Sequence, residues 1–453
     1  MRRVLPLLLL LPGAAHAHAS ERMVILTLPT GWFIIGAAVV VALTALMALR
    51  SRRLPAFAAR RLLTRPPLLP RSLTSWAGAL VFWSLIAVGV LGTRDPLENL
   101  LPLTVWTLIW VGLTLLCVVF GNLWRDIEPW TGPVRALRRL LGWQGAIGLA
   151  RLGHLPAVAA YFGFAWFEMV SLAPADPLVL ARVAAIYYLA ILALAVLEGE
   201  EWLPRGEFLT AYFGFVARIA PFWAEDTQGS VTVFAGLPGA QILRLPALTP
   251  SAIAFVTLIL ASVSFDGLNE TFWWLARLGI NPLEFPGRSA VFWQNTVGLA
   301  AFWGLSASLI LGAIRAGKPR GTGFADFAAP MMLAFLPIAA GYHVAHYFVA
   351  LLTDGQYAIA ALNDPLESGR SFLGLPDHWV SFGFLQLRGS VWAIWSAQFA
   401  VIVAAHLLAV LLSLRLSEKT EGAQSFRAHL PMTALMVGYT VFGLWLLSTP
   451  TAA

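Results

Sequence analysis

The fold is decided by apolar runs such as WFIIGAAVVVALTALMAL, which occupies residues 32–49 and is followed by Arg50, Arg52 and Arg53. As a helix this run is about 27 Å long, close to the thickness of the hydrocarbon core of a bilayer. Similar runs recur along almost all of the 453 residues, of which 59% are hydrophobic and only 12% are charged. The sequence therefore predicts an all-α, polytopic transmembrane helix bundle that lies in a lipid bilayer.

About ten segments have the length and apolar character of a membrane span. They are residues 32–49, 73–92, 101–120, 155–172, 178–197, 245–265, 290–314, 329–352, 390–414 and 430–447. Residues 208–223 are shorter, end near Pro221 and carry Arg218 at what would be mid-depth. Because a buried arginine is costly in a bilayer, we predict that this segment is re-entrant or interfacial and does not span.

The N-terminus has the pattern of a signal peptide, with two arginines, an apolar run and the small-x-small sequence AHA at residues 15–17. An uncleaved first helix is the alternative, but a proline and a glycine at positions 12 and 13 end the apolar run well short of a span. We predict a cleaved signal peptide at residues 1–17 and a single helix-bundle domain at residues 18–453.

Arginine-rich loops predict the orientation of this domain. They follow the first predicted span, the third span and the span at 290–314, and such loops belong in the cytoplasm. The mature N-terminus and the loops 266–288 and 354–388 are then periplasmic, which predicts a multi-pass protein of a bacterial inner membrane. If residues 208–223 were a span, every later loop would change sides, so the basic loop 315–320 is cytoplasmic only when that segment is re-entrant.

Several classes of function are excluded by composition and motifs. The single cysteine, Cys117, provides neither a disulfide framework nor a thiolate metal cluster within one chain. The arginines lie in short loops and form no basic stripe with interleaved aromatic residues, so we expect no nucleic-acid partner. The sequence also lacks a Walker loop, a G-x-S-x-G elbow, an H-E-x-x-H motif and a C-x-x-C motif.

Three histidines within predicted spans are candidate metal ligands. His343 and His346 are three residues apart on one helical face, and His406 lies on the next predicted span. Their predicted depths are about 14, 9 and 24 Å below the outer helix ends, which favours satisfied core histidines over a shared metal site. The amine and imidazole of His18, at the mature N-terminus, add a fourth candidate ligand, and they make copper the first metal to consider.

Two carboxylates at the outer end of the span 245–265 are candidate catalytic groups. Asp266 and Glu270 are four residues apart, so on a helix they lie on one face and could hold a divalent metal ion that activates water. The alternative interpretation is that they are solvated carboxylates at a membrane interface.

Four short segments stand out: EFLTAYFGFVARIAP at residues 207–221, SFDG at 264–267, AHYF at 345–348 and DGQY at 354–357. They resemble motifs of a bacterial membrane family labelled fenitrothion hydrolase. The resemblance covers most of the chain after residue 100 and carries over no assigned catalytic residues. It implies hydrolysis of an organophosphate triester, in a membrane complex with a partner subunit.

Three hypotheses follow from these observations. The first is a metal-dependent phosphotriester hydrolase, or an accessory subunit of one, with the metal near Asp266 and Glu270. The second is a transporter or copper-handling protein in which His343, His346 and His406 line a polar path. The third is a subunit for the assembly of a membrane complex.

Overall fold

The computed structural model describes residues 30–51, 54–227, 229–285, 287–366, 368–376, 379–418, 420, 422–423 and 425–452. Within this part of the chain, nine helices are long and apolar enough to cross a membrane, and they pack side by side. The predicted class, an all-α polytopic helix bundle, is confirmed. The predicted signal peptide and His18 lie outside the described residues.

The main helices are, in chain order, α1 (Thr30–Ser51), α2 (Arg71–Leu91), α3 (Leu100–Phe120), α4 (Leu155–Val170), α5 (Pro177–Glu198), α6 (Phe208–Val216), α7 (Pro250–Asn269), α8 (Phe292–Gly317), α9 (Leu336–Asn363), α10 (Arg388–Ser417) and α11 (Phe426–Ser448). Short helices occupy Trp124–Ile127, Thr131–Leu140, Leu203–Gly206, Phe272–Arg277 and Phe324–Met331. Three strands, β1 (Ala59–Arg65), β2 (Phe222–Thr227) and β3 (Ser230–Gly236), complete the architecture.

Several helices begin where the sequence supplies an N-cap. Asp176 accepts a hydrogen bond from the backbone N–H of Val179 and precedes Pro177, the first residue of α5. Thr249 caps α7 in the same way, directly before Pro250. A polar cap followed by proline suits a helix start, because the cap satisfies a free N–H and proline has none to satisfy.

The arginine-rich loops meet at one end of the bundle, which we call the basic face. Arg415, at the end of α10, donates to the carbonyls of Leu54 and Pro55, which follow α1. Arg125, after α3, pairs with Asp226 of β2 at 3.4 Å. The loops after three different helices therefore lie on the same side, as the charge pattern predicted.

The other end of the bundle, which we call the far face, collects the remaining helix connections. Arg94, between α2 and α3, pairs with Asp176 between α4 and α5. Arg288, before α8, donates to the carbonyl of Ser171, and Phe272 donates its N–H to the carbonyl of Pro450. Helix α4 has only 16 residues, or about 24 Å, yet it links the two faces beside α7.

The predicted re-entrant segment is confirmed. After α5 the chain turns into the bundle, so that Glu207 is fully buried and accepts a hydrogen bond from the hydroxyl of Tyr187, halfway along α5. Helix α6 then runs back, and the ring of Phe215 packs against His154 at the start of α4. With nine residues, α6 is about 13 Å long and cannot cross a bilayer.

Arg218 would lie at mid-depth if this segment spanned the membrane, but its side chain is exposed at the basic face. The reason is that α6 ends in a short 3-10 turn, Ala217–Ile219, before the chain enters β2. Strands β2 and β3 form a hairpin, and β3 also pairs with β1, in the antiparallel order β1-β3-β2. This small sheet, which the all-α prediction did not include, ties the loop after α1 to the re-entrant segment.

Candidate functional site

Helix α9 carries the polar side chains that converge near the far face. It begins after a proline-containing helix, Phe324–Met331, and a 3-10 turn, Met332–Phe335, and it packs against α3, α7 and α10. Residues 336–345 are buried, whereas residues 346–357 are partly exposed. The side chains of His346 and Tyr347 therefore lie where the tightly packed core opens.

Asp266 holds two side chains of α9. Its Oδ2 atom accepts a hydrogen bond from Nε2 of His346 at 2.8 Å and from the hydroxyl of Tyr347 at 2.6 Å. Asp266 lies one turn before the end of α7, which places its carboxylate at the level of these two residues. The side chains of Asp266 and His346 are 18% and 26% exposed, so the pair is accessible from outside the core.

Two further carboxyl groups and one arginine complete the group. Glu168, near the end of α4, has Oε1 at 3.0 Å from the Tyr347 hydroxyl. Arg288 donates to the backbone carbonyl of Glu168 at 2.6 Å, and its Nη2 lies 3.8 Å from Oε1 of Glu270. We refer to these six residues as the carboxylate cluster, namely Glu168, Asp266, Glu270, Arg288, His346 and Tyr347.

Helix α3 forms the inner wall of this cluster through a long π-helical stretch, Leu103–Leu113. Such wide turns are uncommon and often occur at functional sites. The carbonyl of Trp110, within this stretch, accepts hydrogen bonds from Nε2 of His343 at 2.8 Å and from the Thr114 hydroxyl at 2.7 Å. The indole N–H of Trp110 is directed at Glu168 and Tyr347 but forms no hydrogen bond of good geometry with any of the described residues.

The electrostatics of the cluster are set by three carboxyl groups near one arginine. Glu270 lies just beyond the end of α7, and burial together with the negative charge of Asp266 raises its pKa, while Arg288 opposes that shift. Negative charge is therefore crowded at this point of the far face. Protons, or a positively charged group, relieve such crowding.

The geometry of His346 suits a general base. Its Nε2 donates to Asp266, so the other ring nitrogen, Nδ1, carries the free lone pair. Within the part of the chain that the structure describes, Nδ1 has no protein partner. A carboxylate that orients an imidazole in this way is the arrangement that activates water or a hydroxyl group in many hydrolases.

The candidate residues from the sequence fall into two groups. Asp266, Glu270 and His346 all belong to the carboxylate cluster, but Asp266 and Glu270 do not act as a pair. Glu270 is the C-cap residue of α7 and leaves the helical path, so its carboxylate contacts Arg288 while that of Asp266 turns to α9. Two residues four positions apart lie on one face only within a helix, and α7 ends at Asn269, just before Glu270.

His343 and His406 lie outside the cluster. His343 is one turn deeper than His346 and donates to Trp110, whereas Nδ1 of His406 donates to the carbonyl of Ile402 on its own helix. Among the described residues, no three histidine, cysteine, aspartate or glutamate side chains are close enough to hold one metal ion. Metal binding at His343, His346, His406 and His18 stays a prediction, and the last of these is outside the described residues.

Trp110, Arg288 and Tyr347 are not predicted as site residues from the sequence, whereas Glu168 is a candidate buried acid near this face. Glu168 stands in an apolar span, which marks it as a buried acid close to the outer helix end. Aromatic residues such as Trp110 and Tyr347 are common in the spans of this chain, so nothing in their sequence context distinguished them.

Comparison with known proteins adds no further assignment. No protein-family model matches this sequence, no curated protein matches it, and no solved structure matches its fold.

Proposed function

We propose that this polytopic membrane protein hydrolyses apolar phosphotriesters, with His346 as the general base and Asp266 as the residue that orients it. The observation that carries the proposal is the shared carboxylate oxygen of Asp266, which holds both the His346 imidazole and the Tyr347 hydroxyl in a partly exposed site. An apolar triester would reach this site from the surrounding bilayer, in which it concentrates.

The resemblance to proteins labelled fenitrothion hydrolase gives the substrate class. Two of the four segments that carry it, SFDG at 264–267 and AHYF at 345–348, contain Asp266 and the His346-Tyr347 pair. A third segment, 207–221, includes Tyr212, whose ring lies 6.0 Å from that of His343 beneath the cluster. Segments that are far apart in sequence thus meet at one place.

The chemistry requires a water molecule between His346 and the phosphorus atom. The water oxygen forms a new bond to phosphorus, its proton moves to Nδ1 of His346, and the bond from phosphorus to the leaving oxygen breaks. Asp266 stabilises the imidazolium that results. A divalent metal near Asp266 and Glu270 is the other way to activate water, but we assign the step to His346 because the described residues offer no third metal ligand.

The test is release of a nitrophenol from a nitrophenyl phosphotriester by the purified full-length protein in detergent, with and without added divalent metals. In His346→Gln the side-chain amide can still donate to Asp266, but the basic nitrogen is lost, so we expect kcat to fall about 10²- to 10⁴-fold. The matched control is His406→Asn, since His406 also lies within the bundle, more deeply buried than His346, but is outside the cluster. Full activity of His346→Gln would refute the assignment.

Transport is a second candidate function, and polar groups continue inward from the cluster. The His343 ring lies 4.8 Å from that of Tyr347, and the Thr114 hydroxyl, which donates to Trp110, is 3.4 Å from that of Tyr212. Metal content of a deletion strain and a complemented strain discriminates this function from hydrolysis. Unchanged copper, zinc, iron, cobalt and nickel would leave transport of these metals unsupported.

We further infer that the basic face is cytoplasmic and that the chain belongs to a bacterial inner membrane. Arginine-rich loops are retained on the cytoplasmic side, and they all lie at one end of this bundle. The carboxylate cluster then lies at the periplasmic end.

A further inference from the structure

The hydroxyl of Tyr347 lies between two carboxyl groups. It is 2.6 Å from Oδ2 of Asp266 and 3.0 Å from Oε1 of Glu168, and both distances are in the range of hydrogen bonds. A phenol has a single proton to donate and an ionised carboxylate has none. One of the two contacts therefore needs a proton that belongs to a carboxyl group.

The surroundings indicate which carboxyl group holds that proton. Oδ2 of Asp266 already accepts from His346, and its bond to Tyr347 is the shorter of the two. A carboxylate that accepts two hydrogen bonds is best satisfied when it is ionised. Among the described residues, the side-chain hydrogen bond of good geometry that Glu168 makes is to Tyr347, while the Trp110 indole lies nearby without such geometry. Arg288 donates to the backbone carbonyl of Glu168 and not to its carboxyl group.

We infer that Glu168 is a carboxylic acid in the resting protein, that its proton is donated to Tyr347, and that it is the proton donor for the leaving group. The first two parts rest on the contacts of Tyr347 alone, and the third rests on the proposed hydrolysis. When the bond from phosphorus to the leaving oxygen breaks, the Glu168 proton moves to that oxygen. The proton taken up by His346 can then return to Glu168 through Asp266 and Tyr347.

The indole N–H of Trp110, which lacks a well-placed acceptor, supports a reacting group at this position. It is a buried donor directed at Glu168 and Tyr347, and among the described residues it has no acceptor in good hydrogen-bond geometry. A buried donor without an acceptor is destabilising, and such groups are often explained by a ligand or a water molecule. A phosphoryl or leaving-group oxygen bound there would satisfy it and would lie within reach of Glu168.

Infrared difference spectroscopy of the full-length protein in detergent tests the proton directly. A carboxylic acid has a C=O stretching band that an ionised carboxylate lacks, and we expect Glu168→Gln to remove one such band at neutral pH. Tyr347→Phe should shift the same band, because the acid loses its acceptor. Glu128→Gln, which changes a buried carboxyl group at the basic face, is the matched control and should leave the band in place. Superimposable spectra of wild type and Glu168→Gln would overturn the inference.

The role as proton donor is tested with two leaving groups. A nitrophenolate leaves without protonation, so Glu168→Gln should slow nitrophenyl triesters by less than about threefold. An alkoxide needs a proton, so we expect a loss of about 10²-fold or more for a trialkyl ester. Equal losses for both substrates would refute the donor role. If no triester is hydrolysed at all, the proposed function and the donor role both fail, while the infrared result still decides whether Glu168 is protonated.

Discussion

Two tyrosines on α9 differ in what their hydroxyl groups contact. The Tyr347 hydroxyl joins Glu168 to Asp266, whereas the Tyr342 hydroxyl is buried and has no partner among the described residues. Removing a hydroxyl that bonds two carboxyl groups takes one hydrogen bond from each of them, while removing an unpaired hydroxyl relieves a desolvation penalty. We expect Tyr347→Phe to lower the free energy of unfolding by about 1–3 kcal/mol, and Tyr342→Phe to leave it unchanged or raise it.

Thermal unfolding of the two variants, in the same detergent and at the same pH as wild type, measures this difference. The two substitutions remove the same atom from neighbouring turns of one helix, so each is the control for the other. Equal destabilisation by both would contradict the hydrogen bonds described for Tyr347.

Glu270 gives a prediction about pH. Burial, and next the charge of Asp266, raises its pKa in the folded protein. Between the unfolded and the folded pKa the folded state binds the proton that the unfolded state has released, so stability decreases as pH rises through this window. Glu270→Gln removes the ionisation, and we expect the variant to be more stable than wild type at neutral pH.

The comparison needs thermal unfolding of both proteins from about pH 4 to pH 7. The advantage of Glu270→Gln should shrink as the pH approaches the unfolded pKa of glutamate, about 4.3, because wild-type Glu270 is then protonated as well. An advantage that is constant with pH would show that Glu270 does not titrate in this range.

At the level of elements, the re-entrant segment depends on one buried carboxylate. Glu207 accepts from the N–H groups of Leu209 and Thr210 at the start of α6, from the Thr210 hydroxyl and from the Tyr187 hydroxyl. In Glu207→Gln the amide nitrogen replaces an acceptor with a donor, so buried donors lose their partner. We expect thermal unfolding to show a loss of about 1–3 kcal/mol.

The control is Glu201→Gln, which changes an exposed glutamate on the same segment and should be nearly neutral. If both variants unfold like wild type, Glu207 does not anchor the segment.

Helices and strands could be predicted from the sequence only where neighbouring residues determine them. The long helices follow from continuous apolar runs, and the start of α5 at its Asp-Pro pair lies within one residue of the predicted span. Helix α7 begins at a Thr-Pro pair, five residues after the predicted start at residue 245. The small sheet could not be predicted, because β1 pairs with β3 across more than 160 residues, as between Thr64 and Thr232. Pairing at that distance is determined by how the helices pack and leaves no local pattern.

The site shows the same limit. Polar residues in apolar spans drew attention to Asp266 and His346, because such residues are rare there. Tyr347 and Trp110 could not be recognised in this way, because aromatic residues are common in the spans. That Asp266 and Glu270 do not share a helical face depends on where α7 ends. The histidines also lie at different depths, as the helix rise indicated, since α10 places Ala405 beside Gly341 and so puts His406 below the level of His346.

For the whole molecule, the distribution of charge between the two faces predicts the orientation in the membrane. The loop at 315–320 lies at the basic face, where Gly317 is packed against the backbone of Ala428 at the start of α11. Ser368, after α9, is exposed at the far face. Because α9 connects these two ends of the bundle, the two loops must be on opposite sides of a membrane, whichever way the protein is inserted.

Cysteine labelling in intact spheroplasts decides between the two orientations. We expect a membrane-impermeant maleimide to react with Ser368→Cys and not with Arg320→Cys, both of which are exposed positions. Arg320 is preferable to Gly317, where a Cβ atom would lie 2.1 Å from the carbonyl oxygen of Ala428. The native Cys117 is fully buried and should give little background. Both variants should react once the membrane is permeabilised, which controls for access. Labelling of Arg320→Cys alone would place the basic face outside the cell and the carboxylate cluster at the cytoplasmic end, against the charge-bias argument.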